Sequence, residues 1–160
     1  MKLYHGSLEV VSEPRIITPN RTLDYGRGFY TTTSYEQAAQ WVRRRKGTQP
    51  SVGYVNVYEL ADILPDDIEQ LRFETPTEEW VDFVMRNRTE KGFEHSFDIV
   101  YGPVANDRVY AAFALYESNL LDKEGLIREL RAYELVDQFL FHTEQSLQHL
   151  TFIEAKEVTL

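Results

Sequence analysis

Strand-like and helix-like patterns follow one another along this 160-residue chain without the regular strand–helix–strand alternation that a parallel, doubly wound sheet requires. Residues 2–5 read as a short opening strand, and residues 52–60, with Val52 and Tyr54 set against Val55 and Val57, read as another. A buried strand is expected from Phe97 to Val104, closed by Gly102-Pro103, and later ones over Gln138 to His142 and Thr151 to Val158. Residues 8–28 read as loop, punctuated by Pro14, Pro19, Gly26 and Gly28. Helices are announced by their caps. Ser34, with Gln37 placed for a capping box, opens a helix expected to reach about Lys46 and stop at Gly47, with Ala38, Trp41 and Val42 on its apolar face. Thr75-Pro76-Thr77-Glu78 reads as a second capping box with proline at the first helical position, ahead of Trp80, Phe83, Val84 and Asn87 on one side. Asp122 is placed to cap a helix through about Tyr133, and Thr143 a short turn. The expected fold is α+β, one domain over residues 1–160.

Composition narrows the chemistry. With 42% hydrophobic residues the chain can bury a sizeable core, so disorder is excluded. The absence of cysteine removes disulfides, thiolate metal sites and thiol nucleophiles, and fits a reducing cytoplasm. The opening MKLYHGSLEV lacks a basic segment followed by an apolar one, so no signal peptide is expected. No apolar run nears the roughly 20 residues of a membrane helix, so a cytoplasmic protein without membrane contact is expected. A net charge of -9 gives no general attraction to nucleic acid. The local exception, Arg43-Arg44-Arg45-Lys46, reads either as a solvated helix end that complements the dipole or as a contact for a phosphate or an acidic partner.

The phosphate-binding Walker pattern, the metalloprotease helix and the Gly-x-Ser-x-Gly elbow are all missing, and His5, His95, His142 and His149 show no spacing that suggests a metal site. Three segments together carry chemistry. Leu3-Tyr4-His5-Gly6-Ser7 ends an opening strand with an imidazole beside an unobstructed backbone. Tyr25-Gly26-Arg27-Gly28-Phe29-Tyr30-Thr31-Thr32 makes a tight turn into a strand, with Trp41 eleven residues beyond Tyr30. Val136-Asp137-Gln138-Phe139-Leu140-Phe141-His142 enters a strand through two polar residues. The stretch from Asp98 to Asp107 has two readings: a core strand closed by a Gly-Pro turn, or a segment whose Asn106, Asp107 or Arg108 faces an acceptor.

In this order the segments resemble the ADP-ribosyltransferase superfamily, in the His-Tyr-Glu branch of diphtheria toxin and the poly(ADP-ribose) polymerases. His5-Gly6-Ser7 is similar to that branch's His-Gly-Ser/Thr, Tyr25-Gly26-Arg27-Gly28-Phe29-Tyr30 to its Phe-Gly-Lys-Gly-Ile-Tyr, and Asp137-Gln138-Phe139-Leu140-Phe141 to its Asn-Glu-Tyr-Ile-Val. Nearly end to end, including Asp98 to Asp107, the chain also resembles a bacterial family assigned to the same superfamily.

The resemblance implies a split β-sheet core with flanking helices, and NAD as co-substrate with no metal. It implies that Gly6 binds the nicotinamide carboxamide through its backbone, that His5 and Ser7 hold the adenine-side ribose, that Tyr30 and Trp41 sandwich the nicotinamide, and that Arg15 lies near the diphosphate. His5, Tyr30 and Gln138 then form the catalytic set. Gln138 stands where the branch has Glu; an amide carries no negative charge and cannot act as a general base. The implied activity is therefore transfer of a single ADP-ribose to a protein, a nucleic acid base or a small molecule, with release of nicotinamide. Slow NAD hydrolysis, or a non-catalytic module that senses NAD or ADP-ribose, is the alternative. The resemblance also implies a bacterial toxin or defence effector restrained by an antitoxin-like protein.

Overall fold

The computed structural model describes residues 1–17, 25–45, 51–103, 107–132 and 135–160. Strand β1 (Lys2–Ser7) is followed by β2 (Phe29–Thr31), α1 (Tyr35–Arg43), β3 (Val52–Leu60), β4 (Gln70–Arg72) and α2 (Glu78–Thr89). Then come β5 (Ile99–Pro103), α3 (Asp107–Glu117), α4 (Lys123–Arg131), β6 (Asp137–Phe141), α5 (Glu144–Leu147) and β7 (Leu150–Thr159). Three strands form one sheet in the order β1-β3-β7, and four form a second in the order β2-β6-β5-β4. All pairings are antiparallel except β4 with β5. The fold is mixed α+β, with two sheets and five helices among the described residues.

β3 is the spine of the first sheet, and its sequence shows why it is buried on both faces. Val55 and Val57 leave one face, and Val55 packs with Ala38, Ala39 and Val42 of α1. Asn56 and Tyr58 leave the other, and Tyr58 joins Leu3, Phe29, Ile99, Phe139 and Phe141 between the two sheets. The outer face of the second sheet is covered by α2, α3 and α4 through Trp80, Val84, Phe113, Leu126 and Leu130, packed on Val100 and Leu140. Each such side chain contributes about 1.5–3 kcal/mol on burial.

The caps fix the helices. Ser34 accepts from the Gln37 amide at 3.2 Å, as its sequence predicts, but α1 closes at the Arg44 cap: the Arg44 N–H donates to the Gln40 carbonyl at 3.0 Å and the Arg45 N–H to the Val42 carbonyl at 3.1 Å, a tightened last turn. The expected stop at Lys46 and Gly47 lies outside the described residues. For α2 the cap is Thr77, two residues later than expected: its hydroxyl takes the Trp80 amide at 3.2 Å, leaving Pro76 ahead of the cap instead of inside the helix. Asp122 and Thr143 cap α4 and α5 as expected.

Candidate active site at the parting of the sheets

The two sheets meet at one bridge among the described residues, Tyr4 with Thr32. Tyr4 exchanges both backbone bonds with Thr32, at 2.8 and 3.0 Å. Alternate residues of a strand send their backbone groups to the same side. The Gly6 amide and carbonyl therefore also face β2, beyond the bridge, where β2 has joined the other sheet. Position 6 must be glycine because a Cβ there would strike the Ala38 carbonyl of α1.

His5 leaves β1 on the face opposite α1 and meets the open edge of β2. Its Nδ1–H donates to the Tyr30 carbonyl at 2.7 Å, and its ring lies 4.4 Å from that of Phe29. Burial pushes its pKa down to about 4; the Tyr30 bond opposes this and the charge of Arg45 adds to it. The ring is thus neutral near pH 7, and with Nδ1 protonated, Nε2 is an acceptor. Tyr30 pairs with Leu140 and sends its side chain to the helix-covered face, where its hydroxyl donates to the Gly26 carbonyl at 2.6 Å. Gly26 has φ +86°, a conformation that favours glycine.

The two polar residues of β6 leave on opposite faces. Asp137 accepts from the Thr33 amide (2.9 Å) and from the hydroxyls of Thr33 (2.6 Å), Thr32 (3.2 Å) and Tyr101 (3.4 Å). It pins the connection between β2 and α1. Gln138 shares the face of Leu140 and Tyr30, is only 3% exposed, and its Nε2 has no hydrogen-bond partner among the described residues. A buried amide donor left unpaired costs about 1–3 kcal/mol.

The structure thus brings His5, Gly6 and Tyr30 together, with Gln138 one strand further in. The remaining predicted residues lie apart from them. Trp41 is half-buried on α1 and joins no aromatic pair among the described residues. Ser7 accepts the Glu9 amide at 3.2 Å in a local turn. Arg15 is 79% exposed and faces Glu13 at 3.9 Å. Asn106 and the side chains of Asp107 and Arg108 lie outside the described residues. A hollow of about 600 Å³ opens between the start of α2 and α4, lined by Thr77, Glu124 and Arg128 among others, and none of the predicted residues borders it.

Two arrangements had no signal in the spacing of residues. Tyr25 is fully buried, donates to the Pro103 carbonyl at 2.8 Å and accepts from the Trp80 indole at 2.6 Å. His95 and His142 stand edge to face, 4.0 Å between ring centres. Each joins residues far apart in the chain, which sequence patterns do not register. Among the described residues no group of three or more His, Asp or Glu side chains is placed to hold a metal ion, and no helix is long and apolar enough to cross a membrane. No curated protein matches the chain. Residues 1–152 match the family described as protein of unknown function (DUF3990), and the chain belongs to that family.

Proposed function

We propose that the chain binds NAD where the sheets part and is a mono-ADP-ribosyltransferase with an ADP-ribosyltransferase-like split-sheet core. What supports this reading is a set of complementary groups around β2: the Gly6 amide and carbonyl turned toward it, the His5 Nε2 acceptor at its edge, the Tyr30 ring on it and, one strand further in, the Gln138 amide, unpaired among the described residues. A primary carboxamide offers one donor and one acceptor side by side, which suits the Gly6 backbone pair as a neighbouring strand would. His5 Nε2 accepts from a ribose hydroxyl, and the Gln138 N–H donates to a ribose oxygen. Tyr30 forms one wall for the pyridinium, and Trp41 supplies the other if α1 and β2 close on a ring between them; a cationic ring adds about 0.5–2 kcal/mol per aromatic face. Arg45, just past the C-cap of α1, is close enough to act on His5 and favours the diphosphate.

NAD supplies the reaction: the bond from ribose C1′ to the nicotinamide nitrogen breaks, its electron pair leaves with nicotinamide, and a nucleophile on the acceptor takes C1′ and gives up its proton. What the chain does is orient the ribose and exclude water. Neither polar residue entering β6 sets a carboxylate beside C1′, since Gln138 is neutral and the Asp137 carboxylate is turned to the other face and held by Thr33. This limits stabilisation of the oxocarbenium-like transition state and favours single transfer over chain growth. The same feature favours a second reading, a module that senses NAD or ADP-ribose without turnover. A toxin or defence effector held in check by an antitoxin-like protein fits either reading.

Incubation with labelled NAD and cell lysate, followed by mass spectrometry, separates them. Covalent label on a protein, a nucleic acid or a small molecule supports transfer, binding without label supports sensing, and neither contradicts the NAD site. The Gln138→Glu variant is expected to raise nicotinamide release by about 10²-fold, the scale of one well-placed electrostatic group; an unchanged rate would remove position 138 from the chemistry.

A further inference from the structure

Three successive carbonyls of the glycine turn each receive a side-chain hydrogen bond, the outer two from residues far along the chain. His95 Nε2–H donates to Tyr25 at 3.4 Å, Tyr30 Oη–H to Gly26 at 2.6 Å, and His142 Nδ1–H to Arg27 at 2.7 Å. The two imidazoles that hold the outer carbonyls touch one another edge to face, at 88° between planes. A ring nitrogen that faces a carbonyl must carry its proton, so in each neutral ring the other nitrogen is a lone pair. Those two nitrogens, His95 Nδ1 and His142 Nε2, are buried and have no partner among the described residues.

We propose that His95 and His142 are positioning residues: as a neutral pair they clasp the Tyr25–Arg27 turn and so set the Tyr30 ring, and protonation of the pair releases the turn. The role in ligand binding rests on the reading of Tyr30 as a wall of the NAD site.

The geometry explains why the pair stays neutral. A proton added to either free nitrogen finds no acceptor and faces the other imidazole across 4.0 Å. The surroundings of His95 are the rings of Phe83 from α2 and of Phe93 and Phe97 from the segment before β5. The charged groups nearby are few. Asp98 at the start of β5 favours protonation of His142, but its carboxylate is already taken by the Thr143 hydroxyl at 2.6 Å and the Glu69 amide at 2.9 Å. Arg27 lies exposed on the turn itself, and Arg86 of α2 stacks on Phe93 with Glu90 as its ion-pair partner. Burial therefore wins: it pushes His142 down to about 3 and lowers His95, against the pull of the carbonyl bonds. With the turn open, both rings return toward the ordinary value of 6.5. Acidification through the window below that value therefore favours release.

The test follows the Gly26 and Gly28 amide signals by NMR from about pH 7 to about pH 4, with NAD titrated calorimetrically at each pH, for the wild-type chain, His142→Asn and His142→Leu. The Asn amide nitrogen can take the place of Nδ1 as donor to Arg27 but does not titrate. The wild-type signals are expected to move together with a midpoint below 6.5, while NAD affinity falls by about tenfold or more. His142→Asn should hold the signals near their neutral positions and confine the loss of affinity to the low-pH end, where His5 is protonated. His142→Leu should displace them already at neutral pH. Glycine signals that stay fixed in the wild type while the histidine rings titrate would overturn the clasp, as would a pH profile unchanged in His142→Asn. Signals that behave as expected in a chain with no measurable NAD affinity would support the clasp and overturn the NAD reading.

Discussion

The two faces of β6 treat their polar residues in opposite ways. On the inter-sheet face, Asp137 is a carboxylate with four donors around it, all from the chain. On the helix-covered face, its neighbour Gln138 is more deeply buried and its amide nitrogen has nothing to donate to. The first arrangement is how a fold anchors itself: the Asp137 bonds fasten the end of β2 to the cap of α1. The second carries a cost to stability that no described group of the chain offsets; under the proposed function a ligand does so. On that reading adjacent residues of one strand separate structural from functional polarity, and the strand's alternation keeps the two from substituting for each other.

The largest effect expected from breaking this contrast is at Asp137. Its replacement in Asp137→Ala orphans the Thr33 amide and removes several charge-assisted bonds, at about 2–4 kcal/mol. Chemical denaturation should show the loss directly, and a variant as stable as the wild type would mean the anchor is dispensable. Acid comes next. His5 and His142 have folded pKa values of about 4 and about 3, both below the 6.5 of the unfolded chain. Each group's contribution is fully present above 6.5, and each drains stability by up to about 1.4 kcal/mol per pH unit as pH falls from there toward the folded value. Melting temperature should therefore drop between neutral pH and about pH 4, and less steeply in His142→Asn. A flat profile would show that the rings are not held neutral. The smallest effect is at Trp41, half-buried and without an aromatic partner: Trp41→Ala should weaken NAD by about tenfold, one aromatic face, with little change in stability. Affinity unchanged in calorimetry would exclude α1 as the second wall.

Much of the fold was legible because local chemistry decides it. Ser34, Asp122 and Thr143 each cap the helix their sequence announces, and Val52–Leu60 is a strand over the expected span. β4 and α3 were not legible. Gln70–Arg72 is a three-residue strand with no pattern of its own, held in place by its parallel partner β5. Asp107–Glu117 carries Val109, Ala112 and Phe113 inward but also an exposed Leu115, so its apolar stripe is blurred. At the site, His5 and Tyr30 were found through short motifs, and their contact follows from strand order. The His95–His142 pair and the Tyr25–Trp80 bond bring together residues 47 and 55 positions apart, which no periodicity announces.

Gln138→Leu tests the contrast most directly, because it removes the unpaired amide and keeps the side chain's bulk. NAD calorimetry beside thermal melting should find binding lost while stability stays within about 1 kcal/mol of wild type or rises, since an unsatisfied buried donor is replaced by an apolar group. Wild-type NAD affinity in that variant, or a collapse of its stability like that expected of Asp137→Ala, would contradict the assignment of this face of β6 to a ligand.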